Sequence, residues 1–560
     1  MLVGLPPSGP VRLELVEARV QSGAQEAALA APVAGPLGGL PVHLGEEGLL
    51  RGLRVVPVRF SAGGQAGGAP LPYEEVVADL HLPPSSPGGP RPVRDRRGED
   101  LLRHTVANWE QARSWRRPAA AHRGRPAVQG AAGPRVRIAV RDEGLYRISG
   151  ADLEEAGVAL RTLVPARLRL LYGGGRPLPA EPQGPLALEE VALRVEDGSD
   201  GRFDAADYVL FYGEPVSRWV WDEARAEYRY LHNVYTHDNT YWLDLSGERP
   251  SAPVERRSGA PVHDQPLRPD RHRVRRHEES EQHVQAQTYG ISSGYEWYWE
   301  DFHHNARAYP TLIHHPAADS VRVRLRFLAL DQGEKGSFRP WHPVLAAGWN
   351  GQTIGRMDFV SRQARVFTFA GAPPVEGNNR LLLVHENYHT ARLDWYELEY
   401  WRALAAEEGE LYFDMPPGEG VAEYRLSGFP GARPALLEVW GAGAYIVDFE
   451  HDAEAGIVVF QDASGARPRR YAAVAPQRQR RPLGLQLVGA QDLLEDRRGA
   501  EYLVVTHADF RAAAERLAAW RARDDRFGPP LSTRVVDIQD LYDAFSGGLV
   551  DPAALRNFIA

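Results

Sequence analysis

None of the 560 residues is a cysteine, so the chain can hold no disulfide, no Cys-ligated zinc and no thiol nucleophile. Its fold must rest on apolar burial and hydrogen bonding alone. A chain this long exceeds the ~250–300 residues at which a single hydrophobic core stops growing, so four or five domains are expected. The 55 Gly and 44 Pro favour many turns between short strands. With 65 basic and 74 acidic side chains the net charge is −9, and in the absence of a basic stripe nucleic acid is not an expected partner.

Period-two alternation sets the domain reading. Leu53–Phe60 and Val76–Leu82 alternate as strands and predict a small β domain over residues 1–117. Residues 118–134 are mostly Ala, Gly, Pro and Arg without periodicity, which marks a linker. A β-rich domain is expected over 135–250, then a Pro-, Arg- and His-rich linker over 251–277. Alternation in Val321–Phe327 and Leu393–Tyr400 predicts an antiparallel β-sandwich over 278–405, followed by a small β domain over 406–490.

From residue 491 the pattern changes. Tyr502–Thr506 reads as an apolar strand, Asp509 as a helix cap, Arg534–Ile538 as a second strand and Asp551-Pro552 as the opening of a second helix. Strand, helix, strand, helix is the start of a parallel α/β sheet. It is expected to be unfinished at Ala560, and to be the least stable part of the chain unless a preceding β unit covers its apolar faces.

Four motifs carry candidate chemistry. His385-Glu386-Asn387-Tyr388-His389 spells H-E-x-x-H, which binds zinc only on a helix. The flanking Leu381–Val384 and the alternation from Leu393 favour a strand end, where the two histidines lie about 13 Å apart instead of ~6 Å. Residues 196–207 place Asp197, Asp200, Asp204 and Asp207 around glycine turns. They read either as an imperfect calcium loop or as a plain acidic turn. The aromatic run Tyr289, Tyr295, Trp297, Tyr298, Trp299 and Phe302 is either a carbohydrate-stacking platform or packing between sheets. Gly173-Gly174-Gly175 lacks phosphate-loop spacing, and no G-x-S-x-G elbow supports a serine hydrolase. Met1–Pro10 has neither a basic start nor an apolar core, so no signal peptide is visible and no transmembrane segment is expected. Either the protein is cytosolic or its true start lies upstream.

Several segments nevertheless resemble the gingipain-type cysteine peptidases, and among them the C-terminal signal peptidases (sortases) of the type IX secretion system. Leu50–Val55, Val140–Ile148, Asp207–Gly213, Ser293–Phe302 and Leu393–Tyr396 are similar to the propeptide-like and middle regions of that family. Tyr502–Thr506, Ala513–Ala518, Val535–Gly548 and Asp551–Arg556 resemble the first part of its caspase-like peptidase domain. The resemblance implies a multidomain, mainly β protein of β-sandwich units followed by the truncated start of a caspase-like α/β domain. It also implies a secreted or outer-membrane-associated surface location, protein substrates and other secretion-system proteins as partners. The family's Cys and His lie in later strands, so no catalytic residue is transferred to any position here. The expected function is that of the noncatalytic N-terminal part of an endopeptidase or sortase processing exported surface proteins, inactive alone. The alternative is a noncatalytic surface module whose sandwich binds carbohydrate or protein. No cofactor is implied beyond the calcium of the acidic loop.

Overall fold

A computed structural model describes residues 1–6, 9–20, 28–29, 42–45, 47–50, 53–60, 63–66, 69–83, 102–115, 133–182, 184–252, 254–284, 297–329, 342–359, 364–440, 443–489, 493, 499–526 and 529–559. The chain divides into two compact units. One comprises residues 1–127, 500–504 and 512–535, the other 128–499, 505–511 and 536–560.

In the first unit the alternating segment Leu53–Phe60 forms a strand between Leu2–Leu5 and Val42–Leu44, antiparallel to both. Its buried Leu53 and Val55 pack with Leu102, Val106 and Trp109. Arg12–Val20 pairs antiparallel with Ala69–His81.

The second unit begins with β1 (Arg135–Val140), β2 (Arg169–Tyr172), the hairpin strands β3 (Arg218–Asp222) and β4 (Glu227–Leu231), and β5 (Asn239–Asp244). β5 lies between β1 and β2 and is buried along its whole length, as a central strand covered on both faces must be. Four longer strands follow: β6 (Arg271–Glu279), β7 (Val321–Ala329), β8 (Arg365–Gly371) and β9 (Ala391–Ala403). They form an antiparallel sheet in the order β6-β9-β7-β8. A second sheet, built from Ala306–Ile313, Val344–Trp349, Gln352–Asp358 and Gly377–His385, shares one core with it. There Val321, Val323, Leu325 and Phe327 of β7 meet Leu345, Trp349, Leu381 and Leu383. The alternation of β7 thus splits inward aliphatics from outward arginines, and the result is a β-sandwich.

Two segments depart from the reading of the sequence. Within the stretch read as a linker over 251–277, Glu255–Ser258 pairs parallel with Ala444–Val447, and β6 starts at Arg271 and pairs with β9 from Arg271↔Ala403 to Glu279↔Trp395. The outward side chains of β6 are charged and are met by charged and aromatic partners, so the strand carries no hydrophobic period. Further on, β10 (Gly484–Val488) is antiparallel to β1. Residues assigned to a 406–490 domain therefore complete the sheet of the 135–250 region, a pairing between segments more than three hundred residues apart that local pattern cannot reveal.

Strands Tyr502–Thr506 and Thr533–Asp537 pair in a two-stranded sheet and bracket, in sequence, the helix Arg511–Arg521. Next come α1 (Ile538–Phe545), capped by the Asp537 carboxylate accepting from Gln539 N–H at 2.9 Å, and α2 (Ala553–Ile559). The β-rich region covers these helices. Trp242 Nε1 donates to the Gly547 carbonyl at 2.8 Å, Arg137 pairs with Asp543 at 2.8 Å, and the Asp551 carboxylate accepts from Leu178 N–H at 2.7 Å. Gly548 sits at φ +94°, and a Cβ there would come within 2.5 Å of Thr240, so only glycine allows this approach. For residues 538–559 the stated exception applies, because β5 and its neighbours cover these helices.

His272, on β6, is 3% exposed and lies edge-on to Phe413. Burial, reinforced by the nearby Arg402, Arg470 and Arg275, pushes its pKa down to about 3. The unfolded chain takes up this proton near the ordinary histidine value and the folded one does not, so stability falls as pH drops from about 6.5 toward 3. In urea titrations followed at pH 6.5 and 4.5, wild type is expected to lose about 2 kcal/mol more than His272→Leu. Equal losses in the two proteins would show that this ring is not the acid-sensitive group.

Candidate functional site

β6 presents Arg273, Arg275, His277 and Glu279 on its outward face, β9 presents Glu399, Glu397 and Trp395, and β7 presents Arg322, Arg324 and Arg326. Register aligns them in rows: Arg275–Glu399–Arg322, His277–Glu397–Arg324 and Glu279–Trp395–Arg326. In the first two rows a carboxylate stands between two nitrogen bases, the arrangement that directly opposed side chains favour. Arg275 and Arg322 reach Glu399 at 3.3 and 3.6 Å. His277 Nδ1 and Arg324 meet Glu397 at 3.0 and 2.6 Å, and Arg326 pairs with Asp394.

The β3–β4 hairpin stands over this face. Its register sets Trp219 opposite Tyr230 and Trp221 opposite Tyr228, so its rings project as a patch. Tyr230 stacks on His277 with centroids 3.8 Å apart and planes 10° from parallel, and the Arg275 guanidinium lies 3.7 Å over Tyr228. His277 is held at both ring nitrogens, by Glu397 and, at 2.6 Å, by Glu279. Burial disfavours its charge, yet the two carboxylates outweigh it and the pKa lies above the ordinary histidine value. Two accepting partners on one ring describe an imidazolium. Asp394 is the opposite case: burial pushes its pKa up to about 6 despite Arg326.

Between hairpin and sheet runs a cleft of ≈ 980 Å³. Its walls are tryptophan and tyrosine rings together with arginine and glutamate heads. Apart from tyrosine, its only hydroxyl is Thr368, and no base touches that group among the described residues. Such a lining offers recognition by ring stacking and paired charges.

Of the motif residues singled out from sequence, Trp297 is the one among the described residues that lines the cleft. His385 ends the strand Gly377–His385 and the following residues form a turn, so the zinc-peptidase helix is absent. His385 Nδ1 accepts from His304 N–H at 2.7 Å, while His389 Nδ1 engages the His342 backbone. Asp197, Asp200 and Asp204 accept from Ser199, Arg202 and Ala206 N–H, and Asp207 from Asp204 N–H. These are local turn bonds, and no three of the four aspartates gather their oxygens within 4.8 Å. In the aromatic run, Phe302 and Trp299 belong to the sandwich core, Tyr298 packs with Leu328, and Trp297 alone, 38% exposed, faces the cleft. Tyr289 and Tyr295 lie outside the described residues. What pattern reading missed was the arginine at every second position in Arg271–Arg275 and Arg322–Arg326, which marks one face of paired strands.

Comparison with known proteins agrees with the order of elements at the C-terminal end. Residues 495–560 match Peptidase family C25, the segment that contains both strands of the two-stranded sheet and α1 and α2. In fold the chain is similar to dimeric latent PorU from Porphyromonas gingivalis, with a TM-score of 0.58 and 17% identity over 77% of this chain and 39% of that one. The chain thus spans well under half of PorU. A family 35 carbohydrate-binding module from Clostridium thermocellum is matched over 22% of this chain and 90% of its own at 15% identity, with a TM-score of only 0.16, too low to carry an argument. No curated protein matches in sequence. Residues 495–560 are thus similar in sequence to Peptidase family C25, and the fold over most of the chain is similar to that of latent PorU.

Proposed function

We propose that this chain supplies the noncatalytic β domains of a C25-type cysteine endopeptidase or sortase that processes exported proteins at the cell surface. The observation that supports this most is the coincidence of two independent features. The C25 match covers residues 495–560, and α1 and α2 within it are seated on the β-rich region through Trp242, Arg137 and Asp551. The β domains on this reading are the base on which a peptidase domain is built. Its substrates are proteins, and its other partners belong to a secretion system. No helix among the described residues is long and apolar enough to cross a membrane. The cleft favours a second, compatible role, since Trp297 and the arginine–glutamate rows suit an extended protein or glycan segment.

The 560 residues contain no thiol, so purified chain is expected to leave fluorogenic endopeptidase substrates intact from acid to alkaline pH, with alkylating agents and chelators without effect. Turnover by the pure chain, abolished by a zinc chelator, would overturn the reading and restore a metal mechanism.

A further inference from the structure

The edge of the cleft brings three ligand-type side chains together from separate pieces of backbone. His232 directly follows β4, Glu279 is the last residue of β6, and Glu281 lies two residues beyond. Their ligand atoms all fall within 4.8 Å of one another, the one such trio of His, Asp or Glu side chains among the described residues. His232 Nε2 is 2.7 Å from Glu281 Oε1 and 3.4 Å from Glu279 Oε1. We propose that His232, Glu279 and Glu281 bind one zinc-like divalent cation that clips the β3–β4 hairpin to the sandwich sheet.

Three observations support the site beyond proximity. The first is size: ligand bonds of ~2.0–2.1 Å in a tetrahedron put ligand atoms about 3.3 Å apart, and the two distances from His232 bracket that value. The second is support behind the ligands. The Glu279 carboxylate already takes the His277 Nε2–H on Oε2 at 2.6 Å, which leaves Oε1 turned toward His232, the outer hydrogen bond that fixes a coordinating carboxylate. His232 is held by its neighbour: Asn233 is 4% exposed, accepts from Tyr235 and Thr236 N–H on its side chain, and donates its own N–H to Ser217. The third is donor type. One imidazole with two carboxylates suits zinc and similar transition ions, whereas calcium and magnesium take oxygen alone.

The competing account is a simple hydrogen bond from His232 to Glu281, and the two differ in what they predict. Calorimetry on the full chain with zinc chloride is expected to show one tight site above the weak background of a protein with 19 histidines. His232→Ala and Glu281→Gln should each weaken that site at least tenfold while leaving the circular dichroism spectrum unchanged, and excess magnesium should not displace the metal. Zinc should also slow amide exchange in residues 218–231 of wild type and not of the variants. Unchanged stoichiometry and affinity in both variants would overturn the site. Zinc bound there without any slowing of hairpin exchange would overturn the clip.

Discussion

Trp242→Ala is expected to destabilise the second unit by about 3–5 kcal/mol, the usual range for emptying a buried tryptophan position. Trp242 is 3% exposed, lies between Arg137 of β1 and Leu171 of β2 in register, and holds the Gly547 carbonyl through its indole N–H. Truncation removes ring contacts on β5 and leaves that carbonyl without its donor. The loss should therefore be felt beyond the cavity itself. Amides of residues 538–559 should exchange at least tenfold faster in the variant, a factor that corresponds to about 1.4 kcal/mol of local stability, while those of the 271–403 sandwich keep their rates. Helices whose exchange is indifferent to Trp242 would not be seated on this sheet.

Arg470→Met is expected to cost about 3 kcal/mol, toward the lower end for breaking a buried ion pair because the side chain keeps some contact with water. Arg470 reaches Glu143 at 2.5 Å and pairs also with Asp414, with 21% of its side chain exposed. Burial opposes the guanidinium charge, but the Asp414 and Glu143 carboxylates outweigh it and raise its pKa well above the usual arginine range. Glu143 also accepts from the Tyr212 hydroxyl, so one cation ties residues near β1 to the strand Arg469–Val474. Removing it leaves two carboxylates facing each other, and Glu143→Gln in the same chain should recover part of the loss. A double-variant cycle in denaturant reads this coupling; additive costs would mean the three groups act independently.

How much of this was legible in the sequence depends on whether the pattern was local. The alternation of Val321–Phe327 matched the inward and outward faces of β7, and the flanks of His385 favoured the strand end that it occupies over a zinc-binding helix. The strand-helix order after Tyr502 was visible in the same way. β6 was hidden because its outward residues Arg273, Arg275 and His277 find charged and aromatic partners rather than water, so polar alternation concealed a strand. β10 was hidden because its partner β1 is distant in sequence. The cleft was invisible for both reasons: its rows exist only once the β6–β9–β7 register is known, and its roof is a hairpin from another part of the chain. Asp197, Asp200, Asp204 and Asp207 were legible only as two alternatives, since spacing that suits a cation also suits carboxylates that bond the N–H groups of their own turn.

The proposed role in C25-type processing of exported proteins is tested most directly by disrupting the gene in the organism that carries it and weighing its exported surface proteins by intact-mass spectrometry. Exported proteins that keep their C-terminal signal segments, and regain mature mass when the gene is restored, are the expected result. Exported proteins of unchanged mature mass in the disrupted strain would contradict it.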